Sequence, residues 1–172
     1  MKPIQTTALD KLLAIIPDHP SVRIGHFSNE TCGCEAHIAA FCVKRGYEYR
    51  INALDKTYAQ TLQSNLAQIP CATVQMFHLQ RPVYTLQGKL YDFLFVTAPI
   101  DAPIRSDFLR KCHPAIKNGG NIIFFLPKSD FALRDSWTML LEEHYYVATN
   151  TIDDLFEHYD IVISRKMHGW GG

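Results

Sequence analysis

Residues 118–164 read NGGNIIFFLPKSDFALRDSWTMLLEEHYYVATNTIDDLFEHYDIVIS, and this stretch decides the fold. After Asn118-Gly119-Gly120, which marks a turn, the apolar run Ile122–Leu126 predicts a buried strand. The segment Asp130–Glu143 then predicts a helix. The segment therefore begins as a strand followed by a helix, the unit from which parallel sheets are built.

Two further strand-like runs complete the segment, Tyr145–Thr149 and Tyr159–Ser164. The residues between them, Ile152–His158, are too few for a helical crossover. We therefore expect the last strand to run antiparallel to its neighbours, whereas the strands before it are expected to be parallel.

The rest of the chain alternates between strand and helix patterns. The predicted strands are Val22–Gly25, Tyr47–Leu54, Ala72–Leu79 and Tyr91–Val96, and the predicted helices are Thr7–Ile16, Thr31–Arg45, Lys56–Gln68 and Ser106–Lys117. This alternation predicts an α/β fold, a three-layer, doubly wound, mainly parallel seven-stranded sheet with an antiparallel last strand.

Length and charge limit the functional classes. The 172 residues predict one domain, residues 1–172, and the equal numbers of Lys+Arg and Asp+Glu, 17 each, give no support to a nucleic-acid partner. No apolar run approaches membrane-spanning length, so no membrane partner is expected. The five cysteines lie mostly within apolar segments. We interpret them as reduced thiols of a cytoplasmic protein.

A ligand is expected at the carboxyl ends of the strands, where the strand order reverses. The candidate wall is the predicted turn Gly25–Asn29 (Gly25, His26, Phe27, Ser28 and Asn29), then Asn52 and Asp55 after the second strand, and Thr97 and Ala98 after the fourth. Gly25 would let the backbone approach a ligand. Asp55 could accept ribose hydroxyls, but it could equally cap the following helix.

Three segments carry a resemblance to a known family. Residues 22–28 (VRIGHFS), 91–98 (YDFLFVTA) and 114–123 (PAIKNGGNII) resemble the first motif, the fourth motif and the entry to the fifth strand of class I, Rossmann-like S-adenosylmethionine-dependent methyltransferases. The resemblance implies strand order 3-2-1-4-5-7-6 and S-adenosylmethionine as the small-molecule cofactor. Arg23 stands where the family's first motif has an acid, and Thr97 stands where the fourth motif often ends in one.

A group of thiols and imidazoles follows the first strand: His26, Cys32, Cys34 and His37. These side chains are zinc ligands, but the Cys-x-Cys spacing differs from that of structural zinc sites, so we expect no metal there. Cys32 or Cys34 near a helix start, with His26 close in sequence, is an alternative nucleophile. The simplest interpretation is small thiols that pack a helix against the sheet.

The C-terminal residues, KMHGWGG, place Trp170 between glycines. This predicts either a homodimer contact or a disordered end. Together these patterns favour methyl transfer from S-adenosylmethionine to a small-molecule or protein acceptor. The alternative is a non-catalytic binding or scaffold protein with the same fold and a decayed pocket.

Overall fold

The computed structural model describes residues 1–85 and 88–168. Its strands are β1 Arg23–Ser28, β2 Glu48–Ala53, β3 Ala72–Met76, β4 Tyr91–Val96, β5 Ile116–Pro127, β6 Tyr146–Ile152 and β7 Tyr159–Lys166. Its α-helices are α1 Thr6–Leu13, α2 Glu35–Arg45, α3 Lys56–Asn65, α4 Arg105–Cys112 and α5 Phe131–Glu143. Short 3₁₀ turns at Ala102–Ile104 and His113–Ala115 flank α4.

The strands form one sheet in the order β3-β2-β1-β4-β5-β7-β6. The first five strands pair in parallel, and β7 lies antiparallel between β5 and β6. This order and the antiparallel last strand confirm the predicted topology. The order reverses between β1 and β4, so their carboxyl ends border the crevice in which open α/β sheets bind ligands.

Helices cover both faces of the sheet. Side chains of α1, α2 and α3 pack in one apolar cluster with Ile24 and Phe95, and side chains of α4 and α5 pack in a second cluster with Phe27 and Leu94. Because successive strand residues point to opposite faces, the alternation within β1 and β4 supplies both clusters. Burial of apolar surface on each face stabilises the three-layer arrangement.

The predicted turn Gly25–Asn29 is wrong, because β1 continues to Ser28. A Cβ atom on Gly25 would lie 2.8 Å from two ring atoms of Tyr91 and 2.9 Å from a methyl group of Leu94. The glycine is therefore required for packing between β1 and β4, and it does not provide a turn at which a ligand approaches the backbone.

The sequence Asn118-Gly119-Gly120 also lies inside a strand. β5 begins at Ile116 and its pairing with β4 shifts register between Tyr91 and Phe93. Gly119 has a left-handed φ of 77°, and a Cβ on Gly120 would lie 2.9 Å from the carbonyl oxygen of Asp92. The glycines therefore form a strand irregularity, where a turn was predicted.

The edge strand β6 is interrupted. Its pairing with β7 shifts register between Val147 and Asn150, and Ala148 has a positive φ of 53°. The side-chain amide of Asn150 donates to the carbonyl of Ala148 at 2.9 Å. These features define a bulge at the outer edge of the sheet.

Within the described ranges, no helix has the length and apolar character that crossing a membrane requires. The prediction made for Trp170 falls outside the described residues.

Candidate functional site

A cavity of about 510 Å³ opens at the carboxyl ends of three strands. Glu30 follows β1, Thr97–Ile100 follows β4, and Leu126–Lys128 ends β5 and follows it. The volume falls within the range of about 300–1,000 Å³ that small-molecule sites occupy. The cavity therefore lies at the predicted crevice, on its β4 and β5 side.

Aromatic and aliphatic side chains form most of the cavity wall. Trp137 and Leu133 of α5 contribute to it, together with Tyr159 at the start of β7. The guanidinium of Arg105 lies 5.4 Å from the centre of the Trp137 ring, and its Nε donates to the carbonyl of Ile100 at 2.8 Å. Arg105 thus braces the loop after β4 against α5 and brings a positive charge to the wall.

Charged groups of both signs line the cavity. Glu30 Oε2 lies 2.7 Å from the N-terminal ammonium of Met1. Lys128 Nζ lies 3.4 Å from Oδ1 of the buried Asp160, and Oδ2 of Asp160 accepts from the backbone N–H of Ser129 at 3.0 Å. A ligand with an apolar body and charged ends suits this arrangement.

Two of the predicted site residues, Thr97 and Ala98, line the cavity. Asn29 comes directly after β1, and its Oδ1 is buried without a hydrogen-bond partner among the described atoms. A buried acceptor of this kind is normally satisfied by a donor such as a ligand or water. Asn29 therefore remains a candidate binding residue.

His26 lies in the interior and is not part of the described cavity wall. Its Nδ1 is 2.8 Å from the Tyr49 hydroxyl, and its Nε2 is 2.7 Å from Oγ1 of Thr97. Burial lowers the pKa of His26 to about 4, although the nearby Glu35 partly offsets this effect. The imidazole is therefore neutral at pH 7 and joins β1, β2 and β4.

Phe27 also belongs to the core. Its ring packs edge-on against Phe77 at 5.1 Å and against Phe108 at 5.2 Å between ring centres. β1 extends through Phe27 and directs its ring towards α4, so the prediction that Phe27 binds a cofactor gains no support from its packing.

Two candidates, Asn52 near the end of β2 and Asp55 just after it, are engaged within the protein. Asp55 caps α3 by accepting from the backbone N–H of Tyr58 at 2.8 Å, and Asn52 Oδ1 accepts from Gln75 at 2.6 Å. Neither is part of the cavity wall. The capping alternative for Asp55 is thus confirmed, and Asn52 joins β2 to β3.

Ser28 belongs to a buried network that the sequence did not predict. The Tyr58 hydroxyl lies 2.9 Å from Ser28 Oγ and donates to Glu35 Oε1 at 2.7 Å. Glu35 also accepts from the backbone N–H of Cys32 at 3.2 Å. Because α2 begins at Glu35 with Cys34 as its N-cap, this contact is not a capping box, and the local sequence carried no signal for Glu35.

The predicted group of four thiols and imidazoles does not assemble. His26 binds Tyr49 and Thr97, and His37 Nε2 lies 2.6 Å from Asp10 Oδ1 near the surface. Cys32 and Cys34 converge instead with Glu35. A hydrogen bond with Cys32, followed by burial, raises the pKa of Cys34, so this thiol is not the activated nucleophile considered from the sequence.

No family model matches the chain, and no curated protein matches it. Solved structures do. CurJ carbon methyltransferase aligns with a TM-score of 0.72 at 12% identity, over 92% of this chain and 52% of its own. A TehB-like SAM-dependent methyltransferase from Corynebacterium glutamicum aligns with a TM-score of 0.70 at 13% identity, over 94% and 86%.

A SAM-dependent O-methyltransferase from Thermotoga maritima aligns with a TM-score of 0.67 at 15% identity, over 94% of this chain and 64% of its own. The chain spans about half the length of CurJ and of the citrinin polyketide synthase CMeT domain. These likenesses show that the chain has the class I methyltransferase-like fold.

Proposed function

We propose that this chain is an S-adenosylmethionine-dependent methyltransferase whose ligands bind in the cavity at the ends of β1, β4 and β5. The observation that carries the proposal is the position of this cavity at the reversal of strand order, in a fold shared with proteins described as methyltransferases. The methyl acceptor is proposed only as a small molecule or a protein.

The polar groups at the cavity agree in part with such a cofactor. S-adenosylmethionine has a flat aromatic base whose faces stack on apolar side chains and a charged amino-acid end, and it supplies an electrophilic methyl group when bound. The carboxylate of Glu30 at the cavity is an acceptor for an ammonium or hydroxyl group. The unsatisfied Oδ1 of Asn29, the preceding residue, is a further acceptor but lies outside the described cavity wall. Arg105 and Lys128, which also line the cavity, are candidate partners of a carboxylate.

Methyl transfer requires little chemistry from the protein itself. The residues of the cavity need to hold two ligands in line and exclude water, and positioning of this kind supplies much of a catalytic effect. The rigid loop after β4, held by Arg105 at the carbonyl of Ile100, suits that role. Thr97 is occupied by His26, so it positions the loop and is not proposed as a base.

A second candidate is a non-catalytic binding or scaffold protein. The observation that favours it is the engagement of the β2 end by the protein's own side chains. Asp55 caps α3, Asn52 binds Gln75, and Tyr58 binds Ser28. The cap occupies Oδ1 of Asp55, one of the two carboxylate oxygens that ribose hydroxyls would need at the end of β2.

Calorimetric titration with S-adenosylmethionine and S-adenosylhomocysteine separates the candidates. Leu133→Trp places a large ring in the cavity, whereas Leu140→Trp makes the same change two turns later on α5, outside the cavity wall. Both leucines are half-buried against the same cluster. The methyltransferase proposal expects saturable binding that Leu133→Trp abolishes and Leu140→Trp retains. Absence of binding by the unaltered chain favours the scaffold candidate.

A further inference from the structure

Three ligand-type side chains meet at the start of α2. The sulfur atoms of Cys32 and Cys34 and a carboxylate oxygen of Glu35 all lie within 4.8 Å of one another. The two cysteines are each 1% exposed and Glu35 is 2% exposed. A buried convergence of two thiols and a carboxylate differs from the exposed acidic groups that commonly occur without a metal.

We propose that Cys32, Cys34 and Glu35 form a binding site for one zinc ion. Thiolate and carboxylate are both zinc ligands, and zinc–sulfur bonds of about 2.3 Å place two sulfur ligands of a tetrahedral ion roughly 3.8 Å apart. The three donor atoms lie within 4.8 Å of one another, so their separations exceed this spacing by at most about 1 Å.

The backbone holds the ligands in this arrangement. Gly33 has a left-handed φ of 79°, which turns the chain sharply between the two cysteines. The carbonyl of Cys32 accepts from the backbone N–H of Ile4 at 2.9 Å, and the carbonyl of Cys34 accepts from that of Ile38 at 2.8 Å. Because both cysteines are fixed by these bonds, little conformational entropy is lost when an ion binds.

Charge supplies an independent reason for a cation. Glu35 is buried, and none of the ion pairs found in residues 1–85 and 88–168 includes it. Buried charges in proteins are normally paired or bind metals. A zinc ion would offset two of the three charges carried by two thiolates and a carboxylate, and the N-terminus of α2 favours the remaining negative charge.

An outer layer of hydrogen bonds orients the carboxylate. The Tyr58 hydroxyl donates to Glu35 Oε1 at 2.7 Å and lies 2.9 Å from Ser28 Oγ. Such partners of metal ligands fix ligand orientation. The neighbouring residues Thr31 and Gly33 are exposed, so one layer of chain separates the site from solvent, and a water can complete the coordination.

The zinc proposal does not depend on the cavity or on S-adenosylmethionine. The three ligands lie outside the cavity wall, and the zinc titration contains no cofactor. Loss of zinc binding and loss of cofactor binding are therefore separate results.

The experiment uses the full chain, reduced with a non-thiol agent and freed of metal, and titrates it with zinc alone and then with cobalt(II) alone. We expect one zinc per chain. We also expect cobalt to give thiolate-to-metal charge-transfer absorption together with the intense visible bands of a tetrahedral site. Either absence of stoichiometric zinc binding or a cobalt spectrum without thiolate absorption overturns the proposal, and neither result requires a variant.

Variants then locate the site. Cys34→Ser is expected to weaken zinc binding more than about 100-fold, the upper end of what loss of an outer-shell partner costs, and Glu35→Gln at least about tenfold. The matched control is Cys71→Ser, which alters a half-buried thiol outside the cluster and should leave zinc affinity unchanged. Equal losses in Cys34→Ser and Cys71→Ser, or unchanged affinity in Glu35→Gln, contradict the assignment.

Discussion

Oγ1 of Thr97 lies 2.7 Å from Nε2 of His26, so the residue that follows β4 at the cavity is joined to the middle of β1. Thr97 lines the cavity while His26 lies wholly within the core. The Tyr49 hydroxyl binds the other ring nitrogen at 2.8 Å. The cavity wall is therefore held by a buried polar chain that crosses three adjacent strands.

This chain of hydrogen bonds predicts acid sensitivity. Burial lowers the pKa of His26 from 6.5 to about 4. Between these two pH values, His26 is protonated in the unfolded chain and neutral in the folded chain. Protonation of His26 in the unfolded chain therefore lowers the free energy of unfolding by up to about 3 kcal/mol as the pH falls from 6.5 to 4. His26 has no such effect above pH 7.

Urea unfolding at a series of pH values tests the role of His26. His26→Gln is expected to be less stable than the unaltered chain at pH 7, because a buried network is broken. Its free energy of unfolding should nevertheless decline less steeply between pH 6.5 and 4. Parallel declines for the two proteins would show that His26 is not the titrating group.

Gly25→Ala is expected to destabilise the fold by about 1–3 kcal/mol, the usual cost of overpacking. The added methyl group would lie 2.8 Å from the Tyr91 ring, in a strand whose backbone cannot easily move. Chemical denaturation measures the effect. Tyr91→Leu should relieve part of it, and a double-mutant cycle without coupling between the two positions would refute this explanation.

Tyr58→Phe is expected to cost about 1–3 kcal/mol in metal-free protein, because the buried Glu35 loses a donor. Tyr47→Phe is the matched comparison. That hydroxyl also belongs to a buried tyrosine, but it donates only to the carbonyl of Pro17 at 3.1 Å, which predicts a loss of about 1 kcal/mol. Equal free energies of unfolding for the two variants would contradict the special role of Tyr58.

Asp92 joins three strands at the end of the sheet opposite the cavity. Its Oδ2 accepts from the backbone N–H of Arg23 at 2.8 Å and lies 2.9 Å from Nζ of Lys117. Asp92→Ala should cost about 1–3 kcal/mol, mostly from the unsatisfied N–H, since the half-exposed ion pair contributes little.

The control for Asp92 is Asp135→Ala on the exposed side of α5. That substitution should stay within about 0.5 kcal/mol of the unaltered chain, as surface changes usually do. Thermal or urea unfolding compares the two variants, and similar losses would rule out the proposed role of Asp92.

The directions of the strands were predictable from local sequence patterns, whereas the strand order followed from the family resemblance. The short connection Ile152–His158 implies an antiparallel final strand whatever the rest of the fold does, and the structure confirms it. Alternating strand and helix patterns then imply a parallel sheet with helices on both faces.

The end of β1 was not predictable in the same way. His26 and Ser28 are polar, which favoured a turn, but both are fully buried because their partners come from distant parts of the chain. The polar contacts of a strand residue depend on which strands lie beside it. The sequence of β1 alone therefore does not show that Thr97 and Tyr58 become its hydrogen-bond partners.

The candidate site was predicted in part for the same reason. Thr97 and Ala98 follow a clear apolar strand, so the general rule for open sheets placed them correctly at the crevice. Glu35 was missed because a carboxylate within a helix start reads as a cap or a solvated charge. Its burial follows from the packing of α2 and α3 beside β1.

The interruption at Ala148 affects whether β6 can pair with a strand of another copy of the chain. An unbroken outer strand offers a regular row of N–H and C=O groups to a strand from another chain, which is the first step of fibrous aggregation. A left-handed residue in the middle of that row, with its carbonyl already bound by Asn150, removes the regular template. The interrupted edge strand β6 is therefore expected to disfavour edge-to-edge stacking of copies in concentrated solution.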